Sequence, residues 1–130
     1  MTRTAFLGIA LVAIAGAAPA EELGQREYMS SCVACHGTTG KGGGELAELL
    51  TVDVPDLTTI AERNDGEFPM LDVIHIIDGR TGVRGHGGPM PLWGERYAFE
   101  IGDSAGPYGA ELAIRGRVLS LAYYLESIQQ

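Results

Sequence analysis

Only two cysteines occur in the 130 residues, so no network of disulfides can staple this chain. The three histidines stand at positions 36, 75 and 86, none at the close spacing of a zinc finger. Positive charge is scarce: 9 Lys and Arg against 17 Asp and Glu leave a formal net charge of −8. Such a chain is a poor partner for nucleic acid or for an anionic membrane surface. No alternation of apolar and polar residues suggests a strand, and no internal repeat or low-complexity tract is found. The one long run of apolar and small residues, Ala5–Ala18, is fourteen residues, short of the ~20 that cross a bilayer.

That run has the marks of a leader. Arg3 precedes it, Ala18-Pro19-Ala20 has the small-x-small form of a cleavage site, and Glu21-Glu22 follows. The expectation is a cleaved signal peptide over residues 1–20, a single domain over 21–130, and no integral membrane segment after cleavage. Removing Arg3 leaves 8 basic and 17 acidic side chains, 8 − 17 = −9. A domain of 110 residues buries only about two thirds of its unfolded surface, so its own core is thin. A flat apolar cofactor clamped inside would supply much of the missing core.

The two cysteines fall in Cys32-Val33-Ala34-Cys35-His36. On a helix, thiols three residues apart share a face and can both add to the two vinyl groups of a haem. The adjacent imidazole can then lie under the iron as the proximal ligand. Two other readings compete. A thioredoxin-like redox pair needs a βαβ context that the flanks lack, and a structural zinc needs four ligands. Haem attachment accounts for the residues best.

The remaining pattern is helices between glycine-rich loops, and the fold class is all-α. Gly24, Tyr28 and Cys32 lie at i, i+4, i+8 on a helix expected from Glu21 to about Val33. Gly37–Gly44 holds five glycines in eight residues and reads as a loop around the haem edge, not a phosphate loop. Asp56 reads as the N-cap of a short helix through Arg63, closed by Asn64-Asp65-Gly66. A helix then opens at Phe68 or Pro69 and ends at Asp78-Gly79, with Phe68, Leu71, Ile74 and Ile77 as its face and His75 as a packed histidine. The last helix runs from about Ala110 to Ser127 with Ile114, Val118, Leu121, Leu125 and Ile128 inward and Glu111–Arg115 paired outside.

A sixth iron ligand is expected at Met90, in Gly88-Pro89-Met90-Pro91, where flanking prolines hold the backbone extended and aim the thioether. Met/His ligation raises the reduction potential, because thioether sulfur favours ferrous iron. His86, bracketed by glycines four residues earlier, is the rival; Met70 reads as core, and Met29 is too close to the attachment motif. Arg80 and Arg84 are candidates for pairing with the haem propionates or for solvated loop charges. Trp93 is a candidate for a propionate hydrogen bond or for packing on the haem.

On Gly24-x-x-x-Tyr28-x-x-x-Cys32, the attachment motif, Met90 at 54 residues after His36, and Leu121-Ala122-Tyr123-Tyr124-Leu125, the chain resembles a class I c-type cytochrome. The resemblance implies terminal helices crossing at Gly24 over one covalently bound haem c, with its iron held by His36 and Met90. It also implies a periplasmic carrier of single electrons between redox proteins. An acidic carrier suits partners with a basic docking patch. Two departures stand out. No proline lies between His36 and Pro55 to accept the imidazole N–H, and the stretch from Trp93 to Gly109 is long for a minimal cytochrome. A fixed subunit of a larger oxidoreductase, and a haem enzyme or gas sensor with an open sixth site, are the alternative functions.

Overall fold

The first and last helices cross where the chain can least tolerate a side chain. A Cβ on Gly24 would run into the Ser120 carbonyl and the Tyr124 side chain, so only glycine allows this approach. The computed structural model describes residues 20–80 and 88–130. Residues 1–19, where a leader is expected, lie outside them, as do Arg84 and His86. Among the described residues there are five α-helices: α1 (Ala20–Ser31), α2 (Val33–His36), α3 (Met70–Asp78), α4 (Trp93–Ile101) and α5 (Gly106–Ser127). Short 3₁₀ turns fill the loops, and no strand occurs among the described residues. The fold is all-α, as the sequence pattern predicts.

At the α1–α5 crossing Tyr28 is 1% exposed, and its ring centroid lies 5.2 Å from that of Tyr124 at an interplanar angle of 50°. Ile114, Val118, Leu121 and Leu125 of α5 are buried, the face read from the sequence. The helix begins earlier than expected, at Gly106, because Pro107 in its first turn has a fixed φ and no N–H to leave unpaired.

The stretch Trp93–Gly109 contains α4 and a 3₁₀ turn at Gly102–Ala105, and Trp93 and Tyr97 on α4 are core residues, in line with a packing role. Three expectations are corrected. Asp56 does cap, accepting from Thr58 N at 2.7 Å, but the segment it opens is two 3₁₀ turns, Leu57–Thr59 and Glu62–Asn64. The buried pair on α3 is Val73 and Ile77, four apart, while Leu71 is 64% exposed and His75 faces solvent. Arg80 is neither a solvated charge nor aimed at a cofactor. It bonds to Asp78 and, at 2.7 Å, to Glu111, tying the end of α3 to α5.

That ion cluster sets a pH dependence. Arg80 and then Arg115, the latter at 2.7 Å, hold the Glu111 carboxyl down at about 2 from an ordinary 4.5. A depressed folded-state value means the contribution is fully present above the ordinary value and disappears as pH falls through the folded one. Thermal midpoints should therefore decline between about pH 4.5 and pH 2, and Glu111→Gln should flatten that decline while lowering the midpoint at neutral pH. A wild-type and a variant curve that stay parallel down to pH 2 would show that the cluster contributes nothing.

The loop after the attachment motif is bound back onto it. Gly42 N donates to His36 O (2.9 Å), Gly44 N to Cys35 O (3.1 Å), and Leu46 N to Ala34 O (2.8 Å). A Cβ at Gly44 would collide with the carbonyls of Val33 and Ala34, which explains a glycine there. The chain end closes the other side: Gln129 donates to Leu57 O at 2.8 Å and accepts from Ala61 N at 2.9 Å.

Candidate functional site

Helical hydrogen bonding continues almost unbroken through the cysteine motif. Cys32 N donates to Tyr28 O at 2.8 Å, and His36 N to Cys32 O at 2.9 Å. The kink at Cys32 divides α1 from α2, so the helix expected to reach Val33 ends two residues sooner. Cys32, Cys35 and His36 are each half-buried and line one cavity of about 930 Å³. Its other walls are Val73, Ile76 and Ile77 from α3, Leu92 and Trp93 around the start of α4, and Leu121 and Leu125 from α5. Val54, Pro55, Leu57 and Ile60 supply the loop side. Such a volume lies at the upper end of cofactor sites, and the lining is mainly apolar.

Met90 lines the same cavity from the loop before α4 and packs against the core, so one space collects all four residues singled out in the sequence. Met70 packs at the edge of the core, and Met29 is 45% exposed. The rival ligand His86 lies outside the described residues.

The electrostatics of the motif suit a tethered macrocycle better than a redox dithiol. Burial, then Glu27 and Cys35, push the Cys32 thiol up to about 12. A catalytic Cys-x-x-Cys works by lowering that value, so this thiol is not an activated nucleophile. Burial holds the His36 imidazole below its ordinary value, and the Pro55 carbonyl opposes this. A neutral imidazole is the form that binds a metal. Its Nδ1 is buried with no hydrogen-bond partner among the described residues, and the Pro55 backbone is near enough to act on the imidazole. Pro55 thus stands where a nearer proline was missing from the sequence; the looped-back chain delivers it from 19 residues away. Among the described residues no three His, Cys, Asp or Glu side chains are grouped to hold a metal.

Sequence reasoning missed two parts of the site. The arginines lining the cavity are Arg63 and Arg96, whereas Arg80 is committed to carboxylates and Arg84 lies outside the described residues. Behind the cavity, Arg117 of α5 forks onto Glu27 of α1 at 2.8 Å, reaches Glu100 of α4 at 2.9 Å, and covers the Tyr97 ring at 3.7 Å from its centroid. Tyr97 is fully buried, and burial pushes its hydroxyl up to about 12. The signal was present: Trp93, Tyr97 and Ile101 are spaced four apart.

No helix among the described residues is long and apolar enough to cross a membrane. No curated protein and no solved structure matches the chain significantly. The Cytochrome c family model matches residues 21–104, a span that runs from the start of α1 through the attachment motif and Met90 to the turn after α4. With that match over more than half its length and a haem-sized apolar cavity behind Cys32, Cys35 and His36, the chain belongs to the cytochrome c family.

Proposed function

We propose that residues 21–130 form one exported, periplasmic cytochrome c domain that carries single electrons between redox proteins. In this reading Cys32 and Cys35 hold the haem covalently, and His36 and Met90 are its axial ligands. The carrying observation is that one apolar cavity gathers both thiols, the imidazole and the thioether. Haem c, which the family carries covalently attached, supplies the one-electron ferric/ferrous couple when bound.

The chain's own residues do the rest. The Pro55 backbone next to His36 is the group proposed to accept the imidazole N–H and so fix its tautomer and orientation. Pro89 and Pro91 restrict the backbone on either side of Met90. The apolar walls from α3, α4 and α5 keep water from the cofactor, which favours the less charged, reduced state. Arg63 and Arg96, which line the cavity among the described residues, are the proposed partners of the propionates. With His36 and Met90 both holding the iron, the bound haem would supply electron transfer and leave no position for a substrate, which supports a carrier.

The test is direct. After denaturation the polypeptide should keep its haem, stain for peroxidase activity on a gel, and show one haem per chain by mass. Replacing Cys32 and Cys35 together with alanine should leave a chain that loses all haem to acid–acetone. Complete extraction from the unaltered protein would refute covalent attachment through these residues.

Partner choice follows from charge. A net charge of −9 on residues 21–130 should steer the protein toward partners with a basic docking patch. The screening length is ~10 Å at 0.1 M salt. In stopped-flow mixing, the second-order rate with a basic redox protein should fall steeply with added salt, and with an acidic one it should start low and rise. Rates indifferent to salt in both cases would place docking on an apolar patch instead.

A further inference from the structure

Arg117 ties three helices together, and it does so right behind the haem motif. Its guanidinium forks onto Glu27 of α1 through two bonds of 2.8 Å and bonds to Glu100 of α4 at 2.9 Å. Glu100 also faces Arg96, at 3.5 Å. Among the described residues Glu27 pairs with Arg117 alone, so this one cation cancels its charge. The pair is largely shielded from solvent: Arg117 is 27% exposed and Glu27 21%, against 74% for Arg115 on the same helix.

Packed side chains connect the pair to the cavity. The guanidinium covers the ring of Tyr97, which is fully buried, and that ring lies 5.9 Å from Trp93, a residue of the cavity wall. From the other side Glu27 is near enough to Cys32 to help raise its thiol, second only to burial. A charge that reaches a site through packed side chains acts on it more strongly than one screened by water and salt. A shielded ion pair is weak evidence for stability by itself, because desolvation offsets the attraction. Its position beside Cys32 and behind Trp93 points to a role in the electron transfer.

We propose that Arg117 sets the reduction potential of the haem by holding a cation against Glu27 behind Cys32. The inference rests on covalent haem at Cys32 and Cys35, and not on which residue is the sixth ligand. A bare carboxylate at this place favours the ferric state, which carries one more positive charge than the ferrous one. The paired cation removes that bias and keeps the potential up. Arginine also fixes the carboxylate with two parallel bonds, where lysine offers a single point of charge.

A spectroscopic redox titration of the haem-loaded protein, at one pH and one salt concentration, reads the effect. Arg117→Gln should lower the midpoint potential and Glu27→Gln should raise it. The two changes combined should return it close to the unaltered value. Arg115→Gln removes the same charge from the exposed side of α5 and should shift the potential less than a third as far as Arg117→Gln. Arg117→Lys keeps the charge, so the potential should hold while the melting temperature falls with the loss of the fork. A purely structural clamp behaves differently. Loosening α1 from α5 admits water to the cavity, so Arg117→Gln and Glu27→Gln would both lower the potential. That shared direction overturns the proposal. So does an Arg117→Gln shift no larger than that of Arg115→Gln, or an Arg117→Lys protein as low in potential as Arg117→Gln. Should Arg117→Gln fail to take up haem, Glu27→Gln decides, and a potential that does not rise refutes the role. Failure of the covalent-haem reading is seen separately, as haem lost to acid–acetone from the unaltered protein.

Discussion

Met90→Ala should abolish the weak far-red iron–sulfur charge-transfer band of the oxidised protein and lower its potential by roughly 100 mV or more. That figure is a modest part of the ~0.8 V over which axial ligands set haem potentials. The large effect is expected because the change replaces a soft donor that favours ferrous iron by water or a harder ligand. The fold should survive. Met90 packs at the edge of the core, not in its centre, and the prolines that set the loop are untouched. The decisive comparison is with His86→Ala, which should keep the band and the potential. If instead the histidine change removes the band and the methionine change spares it, the ligand assignment is wrong.

How much of this was legible in the residues differs from element to element. Cys32, Cys35 and His36 carry their chemistry in their spacing, and Gly24–Tyr28 with the inner face of α5 follows from periodicity over long helices. In α3 periodicity fails. Leu71, Val73, Ile74, Ile76 and Ile77 are apolar in nearly every direction, so the buried phase, Val73 with Ile77, is chosen by packing against other helices. The helix α4 is short, holds Gly94 and follows Pro91, and those breakers obscure a real four-residue spacing. Gly94 is needed because a Cβ there would strike Asp78 and Arg80 at the end of α3. The remaining parts are long-range pairings that no local pattern encodes. Pro55 comes near His36 after the glycine loop has folded back, and Arg117 meets Glu27 from 90 residues away.

The same substitution at two glycines of the long helices should act with opposite signs. Gly24→Ala inserts a methyl group where the Ser120 carbonyl and Tyr124 already stand, and these are a helix backbone and a packed aromatic, neither free to retreat. The helices must separate, which also loosens Tyr28, whose hydroxyl donates to Gly37 O at 2.6 Å and anchors the loop behind the haem motif. Overpacking of this kind costs about 3 kcal/mol. For a domain of this size that is a fall of roughly 12–20 °C in melting temperature. Gly116→Ala adds its methyl group to open space on an exposed turn, so only helix propensity acts, a gain of about 1 kcal/mol. Thermal melts of the dilute, haem-loaded ferric protein measure both changes under one condition. A Gly24→Ala protein as stable as the original would mean that α1 and α5 do not cross at this glycine, and the packing that frames the haem cavity would have to be redrawn.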